Sequence, residues 1–411
     1  MSDPRRALLC VLVMLVLPVA MPVQANGEIA SYRSRNFLVH TDDEPAKARA
    51  LLERLERMLG IIAAYWKRPN RQIIECCVVK DLKAWPPDRL PPRALERLRQ
   101  RAGITISVKR MRGKAFVTKS LVYATADNQT TQHEAVHAFA HQMFGTSGPV
   151  WYSEGMAEMG KYWESENDRS VRAKPAVIRY LQSTPPPVLR VLTRSGKTAD
   201  SWQNYAQRWA LCHLLANNPN YGQRFRLLGL GLLSQRPGAN YRSVFGSMDR
   251  EISFEFRVFL KDLAPGYRVD LCAWDWKTRF RRPRKGRTSK VTVDAGRGWQ
   301  ASRLTVQTGR TYSLTTSGTW QLGSEDKPVD ANGDKQGRGK LQAVILDDYR
   351  LTATAGLGTK ATFRPSQDGK LFLRCGDDWG SLADNSGRIT VSVTLDPKSA
   401  ESDTKPPNNR R

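Results

Sequence analysis

The chain has 411 residues, of which 40% are hydrophobic, and its 65 lysines and arginines exceed its 39 aspartates and glutamates, which gives a formal net charge of +26. This length exceeds one ordinary domain and the apolar content supplies real cores, so two or three folded domains are expected. The charge favours acidic partners such as polyanionic glycans or an anionic envelope surface, but no nucleic-acid-binding motif accompanies it, and no specific nucleic acid partner is expected.

The first 25 residues predict a secretory signal peptide. Arg5 and Arg6 give a basic start, residues 7–20 form a short apolar run, and Val23–Ala25 places small residues where a signal peptidase cuts. A membrane-spanning helix is the alternative, but it needs about 20 apolar residues, and prolines interrupt this run. A secreted or periplasmic protein is therefore expected, with no transmembrane helix after the signal is removed.

Residues 26–280 predict a mainly helical domain with a small sheet at its edge. Alternating or apolar runs predict strands, and apolar residues at a spacing of three and four predict helices. The predicted strands are Asn36–Thr41, Ile73–Val79 and Ala115–Ala124, and the predicted helical regions are Asp43–Trp66, Arg93–Arg101 and Trp151–Leu263.

Cysteine usage is compatible with export but does not predict a disulfide framework. Removal of the signal takes away Cys10 and leaves five cysteines, none in a C-x-x-C pair that would hold zinc. Most are expected to be small core residues, and a Cys212–Cys272 bridge is the one pairing expected.

Three of the chain's five histidines lie in the stretch TTQHEAVHAFAHQ, Thr130–Gln142. His133 and His137 are four residues apart, so on a helix they lie on one face, one above the other. Two imidazoles in this position can bind one metal ion, and Glu134 can reach the water on that ion. The spacing therefore predicts a metal site with a neighbouring general base.

The segment that follows, GPVWYSEGMAEMGKYW, supplies carboxylates for the same site. A catalytic zinc ion needs three protein ligands and one open position. Glu154 and Glu158 are four residues apart and share a helix face. One of them could bind the metal while the other accepts a hydrogen bond from a ligand imidazole, and the spacing alone does not say which.

HEAVH followed by WYSEGMAEM resembles the gluzincin branch of zinc peptidases, in which H-E-x-x-H is followed by W-x-x-E-G-x-A. The resemblance covers roughly Phe37–Leu263. It implies that His133, His137 and Glu154 bind Zn²⁺ and that Glu134 is the general base.

Three other side chains are expected near this metal. Glu158 is expected beside a ligand imidazole. His141, one further helical step along, is expected to lie in the cleft wall or beside a ligand rather than on the ion, and the alternative, which the residue pattern favours most, is an ordinary helix histidine with no role at the metal. The segment NYAQRWALCHLLANN, which resembles a later helix of the same family, offers Tyr205 as a donor to a developing oxyanion. The alternative is that Tyr205, Trp209 and Leu215 are simply core residues at helical spacing.

The sequence pattern changes after RRPRKGR, Arg281–Arg287. This basic segment predicts a linker over residues 281–289. Residues 290–397 alternate between apolar and polar and are divided by Gly/Asp/Asn turns, a pattern typical of an all-β sandwich. The polar segment 398–411 is expected to be a disordered tail. The predicted strands are Lys290–Asp294, Arg303–Gln307, Thr311–Thr316, Leu341–Leu346, Ala361–Arg364, Lys370–Arg374 and Arg388–Leu395.

The loop Gly376–Gly387, GDDWGSLADNSG, carries oxygen ligands of the kind that Ca²⁺ prefers, although the same residue types are common in solvated turns. This loop and the segment GRTYSLTTSGTW resemble the galactophilic bacterial lectin of the PA-I type, over about Val291–Leu395. Leu322 stands where that lectin has a tyrosine, so galactose itself is not predicted. By the resemblance, the calcium ligands would be Asp377, Ser381, Asp384 and Asn385, and the ion would bind sugar hydroxyls.

The leading hypothesis is a secreted zinc metallopeptidase that hydrolyses peptide (amide) bonds in a peptide or protein substrate, with an accessory lectin-like module. The alternative is a catalytically inactive peptidase scaffold that acts as a carbohydrate- or envelope-binding protein. The intact HEAVH favours the enzyme, because a decayed site usually loses its base or a ligand. Polyanion binding is a third hypothesis, and such binding would weaken steeply as salt rises.

Overall fold

A computed structural model describes residues 28–112, 115–165, 169–194, 201–284 and 286–397. The predicted signal peptide and the predicted tail lie outside these residues. The described part of the chain contains both helices and three open sheets, so the protein is α+β overall. No helix within this part is long and apolar enough to cross a bilayer.

The order of the elements separates a mixed first part from a second part made of strands. The helices are α1 (Pro45–Trp66), α2 (Pro92–Arg99), α3 (Asn128–Phe144), α4 (Val150–Tyr162), α5 (Pro175–Ser183), α6 (Leu189–Leu192), α7 (Trp202–Asn217), α8 (Gly222–Leu233), α9 (Tyr241–Phe245), α10 (Asp249–Lys261) and α11 (Val269–Cys272). The strands are β1 (Ala30–Arg33), β2 (Phe37–Thr41), β3 (Ile74–Val79), β4 (Ile104–Arg112), β5 (Ala115–Thr125), β6 (Thr288–Asp294), β7 (Gln300–Val306), β8 (Tyr312–Gln321), β9 (Lys340–Asp347), β10 (Arg350–Leu351), β11 (Ala355–Gly356), β12 (Lys360–Phe363), β13 (Gly369–Gly376) and β14 (Ser386–Leu395).

The first sheet has five strands in the order β1-β2-β3-β5-β4. The inner strands β2, β3 and β5 are parallel, and β1 and β4 pair antiparallel at the two edges. Helices α1 and α3 pack against this sheet, and their apolar side chains join those of the strands in one core. The sheet is larger than the small sheet that the sequence predicts, because β1 and β4 are not among the predicted strands.

Helix α4 packs against both α3 and α7 beside this sheet. Gly155 lies where α4 approaches α7, and a Cβ at this position would stand 2.3 Å from Cys212 Sγ. Only a residue without a side chain permits this approach, which brings α7 close enough to contribute to the cleft described below. The Cys212–Cys272 bridge is wrong, since both thiols are free and buried.

The second part of the chain forms two antiparallel sheets. One sheet has the order β10-β9-β13-β7, with β11 on β9, and the other has the order β12-β8-β14-β6. Alternate side chains from both sheets meet in one core that includes Leu314, Leu341, Leu373 and Val391. The seven strands predicted from alternation are present within a few residues of their expected ends. The short strands β10 and β11 are additions, and the domain limits at 280 and 290 stay predictions.

An aromatic cluster joins α10 and the segment after it to the second part of the chain. The Trp274 ring centroid lies 4.8 Å from that of Phe254 on α10 and 4.6 Å from that of Phe372 on β13. The buried carboxylate of Glu255 accepts hydrogen bonds from Tyr221 Oη at 2.6 Å and from Trp276 Nε1 at 2.7 Å. Burial outweighs the hydrogen bonds from these neutral donors and raises the pKa of Glu255.

Candidate metal centre

Helix α3 begins where the sequence supplies a cap. The Asp127 carboxylate accepts a hydrogen bond from the Thr130 backbone N–H at 2.6 Å, which satisfies one of the free donors of the first turn. The helix ends at Phe144 and is capped by Gly145, whose φ of 74° is a left-handed conformation that favours glycine. Between these ends the helical period turns His133, Glu134 and His137 toward one cleft.

Three side chains from two helices converge in this cleft. His133 Nε2 and His137 Nε2 lie 3.2 Å apart. Glu154 Oε2, on α4, lies 3.3 Å from the first nitrogen and 3.5 Å from the second. These atoms therefore form a nearly equilateral triangle, and within the described part of the chain this is the group of three or more His, Cys, Asp or Glu side chains placed to hold a metal ion.

The size of the triangle fits a small tetrahedral cation. Zinc bonds of about 2.0–2.1 Å at tetrahedral angles place neighbouring ligand atoms about 3.3–3.4 Å apart, and the three measured separations are 3.2, 3.3 and 3.5 Å. The donors also matter, because two imidazole nitrogens and one carboxylate oxygen suit zinc, whereas Ca²⁺ and Mg²⁺ prefer oxygen alone. The residues thus fit a zinc ion with one position open to the cleft.

Each imidazole has a different partner at its second nitrogen. His133 Nδ1 lies 3.0 Å from Glu158 Oε1, and that carboxylate also contacts Lys161. His137 Nδ1 lies 3.1 Å from Ser153 Oγ. These contacts orient both rings so that their Nε2 atoms face Glu154, the arrangement in which outer partners support metal-binding histidines.

The charges of these groups are strongly coupled. Burial opposes a charge on His133, but the carboxylates of Glu154 and Glu158 outweigh it and raise the pKa of His133 to about 9. The pKa of Glu154 is held well below its ordinary value, because His137 and His133 outweigh the effect of burial. A proton on His133 Nε2 and a cation within the triangle are alternatives, since both need the same lone pair.

Glu134 is held in place by the edge strand β4. Thr105 Oγ1 on β4 donates to Glu134 Oε2 at 2.9 Å and also lies 2.8 Å from the Glu134 carbonyl oxygen. Gly103 allows this close approach, because a Cβ there would stand 2.6 Å from Glu134 Cγ. The whole Glu134 residue is 8% exposed, and it lines the cleft.

The cleft has a volume of about 550 Å³ and contains the other predicted side chains. Tyr205 on α7 lies with its ring centroid 5.9 Å from that of His133. His141 lies in the cleft wall outside the triangle, and burial, together with the nearby His137 and Lys109, lowers its pKa. Helix α2 forms another part of the cleft wall, where it presents Arg93 and Arg97.

The predicted calcium residues lie in the loop between β13 and β14. Asn385 Nδ2 donates to Asp377 Oδ2 at 3.0 Å, which brings two of the four together. Asp384 is exposed and Ser381 is half-buried. On its other side the loop buries Leu382 in the core of the first part of the chain.

No family model matches the sequence, and no curated protein is similar to it. Among solved structures, the chain is similar to one described as the N-terminal domain of EclA, a PllA-like lectin. The identity is 20% and the TM-score is 0.22, and the similarity covers 26% of this chain and 95% of that chain.

Several residues around the triangle are not predicted from the sequence to lie there. Ser153 directly precedes Glu154, but its contact with His137 depends on how α3 packs on α4, which the sequence does not show. Thr105 lies on a strand that was not predicted. Arg93 and Arg97 belong to the predicted basic helix, yet no spacing signal connects that helix with a cleft formed by α3 and α4.

Proposed function

We propose that the protein is a zinc-dependent hydrolase of peptide bonds, exported from the cell that makes it. The observation that carries the proposal is the triangle of His133 Nε2, His137 Nε2 and Glu154 Oε2, with sides of 3.2–3.5 Å at the base of an open cleft. Zinc held by three protein ligands lowers the pKa of a water in its open position to about 7 and polarises a carbonyl group.

Glu134 is the proposed general base. Its carboxylate faces the cleft next to a ligand histidine, and the hydrogen bond from Thr105 fixes one oxygen and leaves the other for a proton. In this role Glu134 accepts a proton from the attacking water and returns it to the leaving amine. Tyr205 lies in the same cleft and is the proposed donor to the oxyanion that develops on the scissile carbonyl.

The edge strand β4 supports a peptide substrate rather than a compact small molecule. Within the described residues β4 pairs with β5 on one side only, and Thr105 connects this strand directly to Glu134. An extended peptide can add to such an edge through backbone hydrogen bonds, which recognise the main chain independently of its sequence.

The experiment that tests the proposal compares Glu134→Gln and His137→Ala with the wild-type protein. We expect wild type to contain one zinc ion per chain and to hydrolyse a quenched-fluorescence peptide library. Glu134→Gln should keep the zinc and lose hydrolysis by at least about 10²-fold, whereas His137→Ala should lose both. His141→Ala is the matched control from the same helix and should keep its zinc.

Four results would count against this function. Wild type without zinc, or a fully loaded His137→Ala variant, would remove the metal site. Unchanged hydrolysis in Glu134→Gln would remove the base. A zinc-bound wild type that cleaves no peptide would favour the alternative, in which the scaffold only binds carbohydrate or envelope polymers.

We also propose that the loop Gly376–Gly387 binds Ca²⁺ and, through it, a sugar. The contact between Asn385 and Asp377 supports this proposal, because it gathers two oxygen-bearing side chains at one end of the sandwich. Calorimetric titration of the full chain with Ca²⁺, repeated with Asp377→Asn, tests it. Binding heat that is equal in both proteins, or absent in both, would count against the loop as a calcium site.

A further inference from the structure

The wall of the cleft formed by α2 carries charges that the proposed chemistry does not use. Arg93 and Arg97 are four residues apart on α2, so both lie on one helix face, and both line the cleft. Gln100 continues the same face, and Glu96, which is exposed, is the acidic residue that this helix adds to the lining.

This face is continuous with the catalytic carboxylate. Arg97 Nε donates to the Gly103 carbonyl oxygen at 3.4 Å. Gly103 in turn lies directly against the Glu134 side chain, where a Cβ would stand 3.1 Å from Glu134 Oε1. A substrate group on the α2 side of the scissile bond therefore meets guanidinium groups within one residue of the base.

The two guanidinium groups are not neutralised within the described part of the chain. No carboxylate oxygen of these residues lies within 4.0 Å of a side-chain nitrogen of Arg93 or Arg97. The other carboxylates that line the cleft, Glu134 and Glu154, are engaged by Thr105 and by the two histidines. An arginine pair with spare donors is suited to bidentate binding of a carboxylate.

We propose that Arg93 and Arg97 form a subsite that selects a carboxylate on the substrate, so that the preferred substrates are acidic peptides. This inference rests on the proposed function for its substrate but not for its binding test. The carboxylate can come from an aspartate or glutamate side chain or from the free carboxyl terminus of a peptide. The long-range field of a chain with a net charge of +26 favours the same ligands, so the test must separate the local pair from that field.

The test measures binding to Glu134→Gln protein loaded with zinc, which removes turnover from the readout. The probes are two pools of fluorescein-labelled decapeptides. One pool carries a Glu and the other a Gln at a position that varies within the pool, and the pools are otherwise identical. Each pool is made once with a free and once with an amidated carboxyl terminus. We expect the Glu pool, or the free-carboxyl pool, to bind about tenfold more tightly than its neutral partner in 150 mM salt. The arm that shows the preference identifies the source of the carboxylate.

The variants are made in the same Glu134→Gln background. Arg93→Gln with Arg97→Gln should reduce the preference to less than about twofold, since the charge-assisted bonds are lost. Arg99→Gln is the matched control, because Arg99 is exposed on the same helix but does not line the cleft, and it should keep the preference. Glu96→Gln should increase the preference.

Each outcome decides the inference independently of catalysis. Equal binding of acidic and neutral pools to the parent protein overturns the inference even if the wild-type enzyme cleaves peptides. A preference that Arg99→Gln abolishes as fully as the double variant also overturns it, because the general field would then be the cause. A preference that depends on Arg93 and Arg97 in a protein that cleaves nothing supports the subsite and rejects the hydrolase.

Discussion

Glu158, the partner of His133, gives the most direct test of how the proposed metal centre is supported. Glu158→Gln keeps the shape of the side chain and removes its charge. In the wild-type protein Glu158 Oε1 lies 3.0 Å from His133 Nδ1, the residue is 5% exposed, and Lys161 approaches the same oxygen. The substitution therefore weakens one contact to a proposed ligand and leaves a lysine charge uncompensated near the proposed cation site.

The magnitude follows from the change of a charged contact into a neutral one. A bond to a charged group contributes about 1.5–3 kcal/mol and a neutral one about 0.5–1.5 kcal/mol, so the exchange costs about 1–1.5 kcal/mol. The uncompensated Lys161 adds to this cost. We expect the affinity for zinc to fall by about 10–100-fold, the range found when an outer partner of a metal ligand is removed.

Ser153→Ala provides the matched change at the other imidazole. It removes a neutral hydroxyl that lies 3.1 Å from His137 Nδ1, and should weaken zinc binding by less than about tenfold. The measurement is competition for zinc against a chelator of known affinity at pH 7.5, with thermal unfolding of each zinc-free variant as a check on folding. Wild-type affinity in Glu158→Gln, or a larger loss in Ser153→Ala, would refute this account of the site.

Two further predictions concern pH and the aromatic cluster. Since the pKa of His133 is raised to about 9, His133 is protonated below that pH and zinc must displace this proton. The apparent affinity for zinc should therefore rise by about tenfold per pH unit from pH 6.5 to 8.5. Competition titrations that show no rise would contradict the pairing of His133 with Glu154 and Glu158. Trp274→Ala should lower the free energy of unfolding in urea by about 3–5 kcal/mol, because Trp274 is 2% exposed between Phe254 and Phe372. The 52% exposed Trp202 is the control, and Trp202→Ala should cost less than about 1 kcal/mol.

Local sequence patterns predict the helices and strands in which buried apolar residues recur at a regular spacing. Helix α1 shows apolar residues at helical spacing and was predicted within two residues of its start, and β6, β9 and β14 follow from alternation. The edge strand β4 was not predicted: residues 104–108 (ITISV) alternate, but its far end, which includes the exposed Val108 and Met111, lacks the apolar run of an inner strand. Thr105 could therefore not be placed beside Glu134.

The same limit applies to the two glutamates of α4. Glu154 and Glu158 share a helix face, so spacing alone leaves either one able to reach the metal. The packing of α4 on α3 decides their positions: Glu154 Oε2 lies within 3.5 Å of both Nε2 atoms, while Glu158 lies behind one ring at Nδ1. His141 shows the converse case, because each step of four residues rotates by about 40°, and two steps carry its ring out of the triangle.

Gly380 tests whether the loop that carries the predicted calcium ligands is fixed against the first part of the chain. A Cβ on Gly380 would stand 2.0 Å from the Pro265 carbonyl oxygen, a backbone atom that cannot rotate away. Gly380→Ala must therefore separate the two segments, and we expect a loss of about 1–3 kcal/mol in the free energy of unfolding with unchanged zinc affinity, since the triangle lies on α3 and α4. Gly246→Ala is the matched control, because Gly246 has a helical φ of −56° and a Cβ there would meet only Arg242 Cγ at 3.5 Å. Its free energy of unfolding in urea should be unchanged or slightly higher than that of wild type. If Gly380→Ala unfolds at the same urea concentration as wild type, the loop does not lie against Pro265 in solution, and the burial of Leu382 in the first core would have to be abandoned with it.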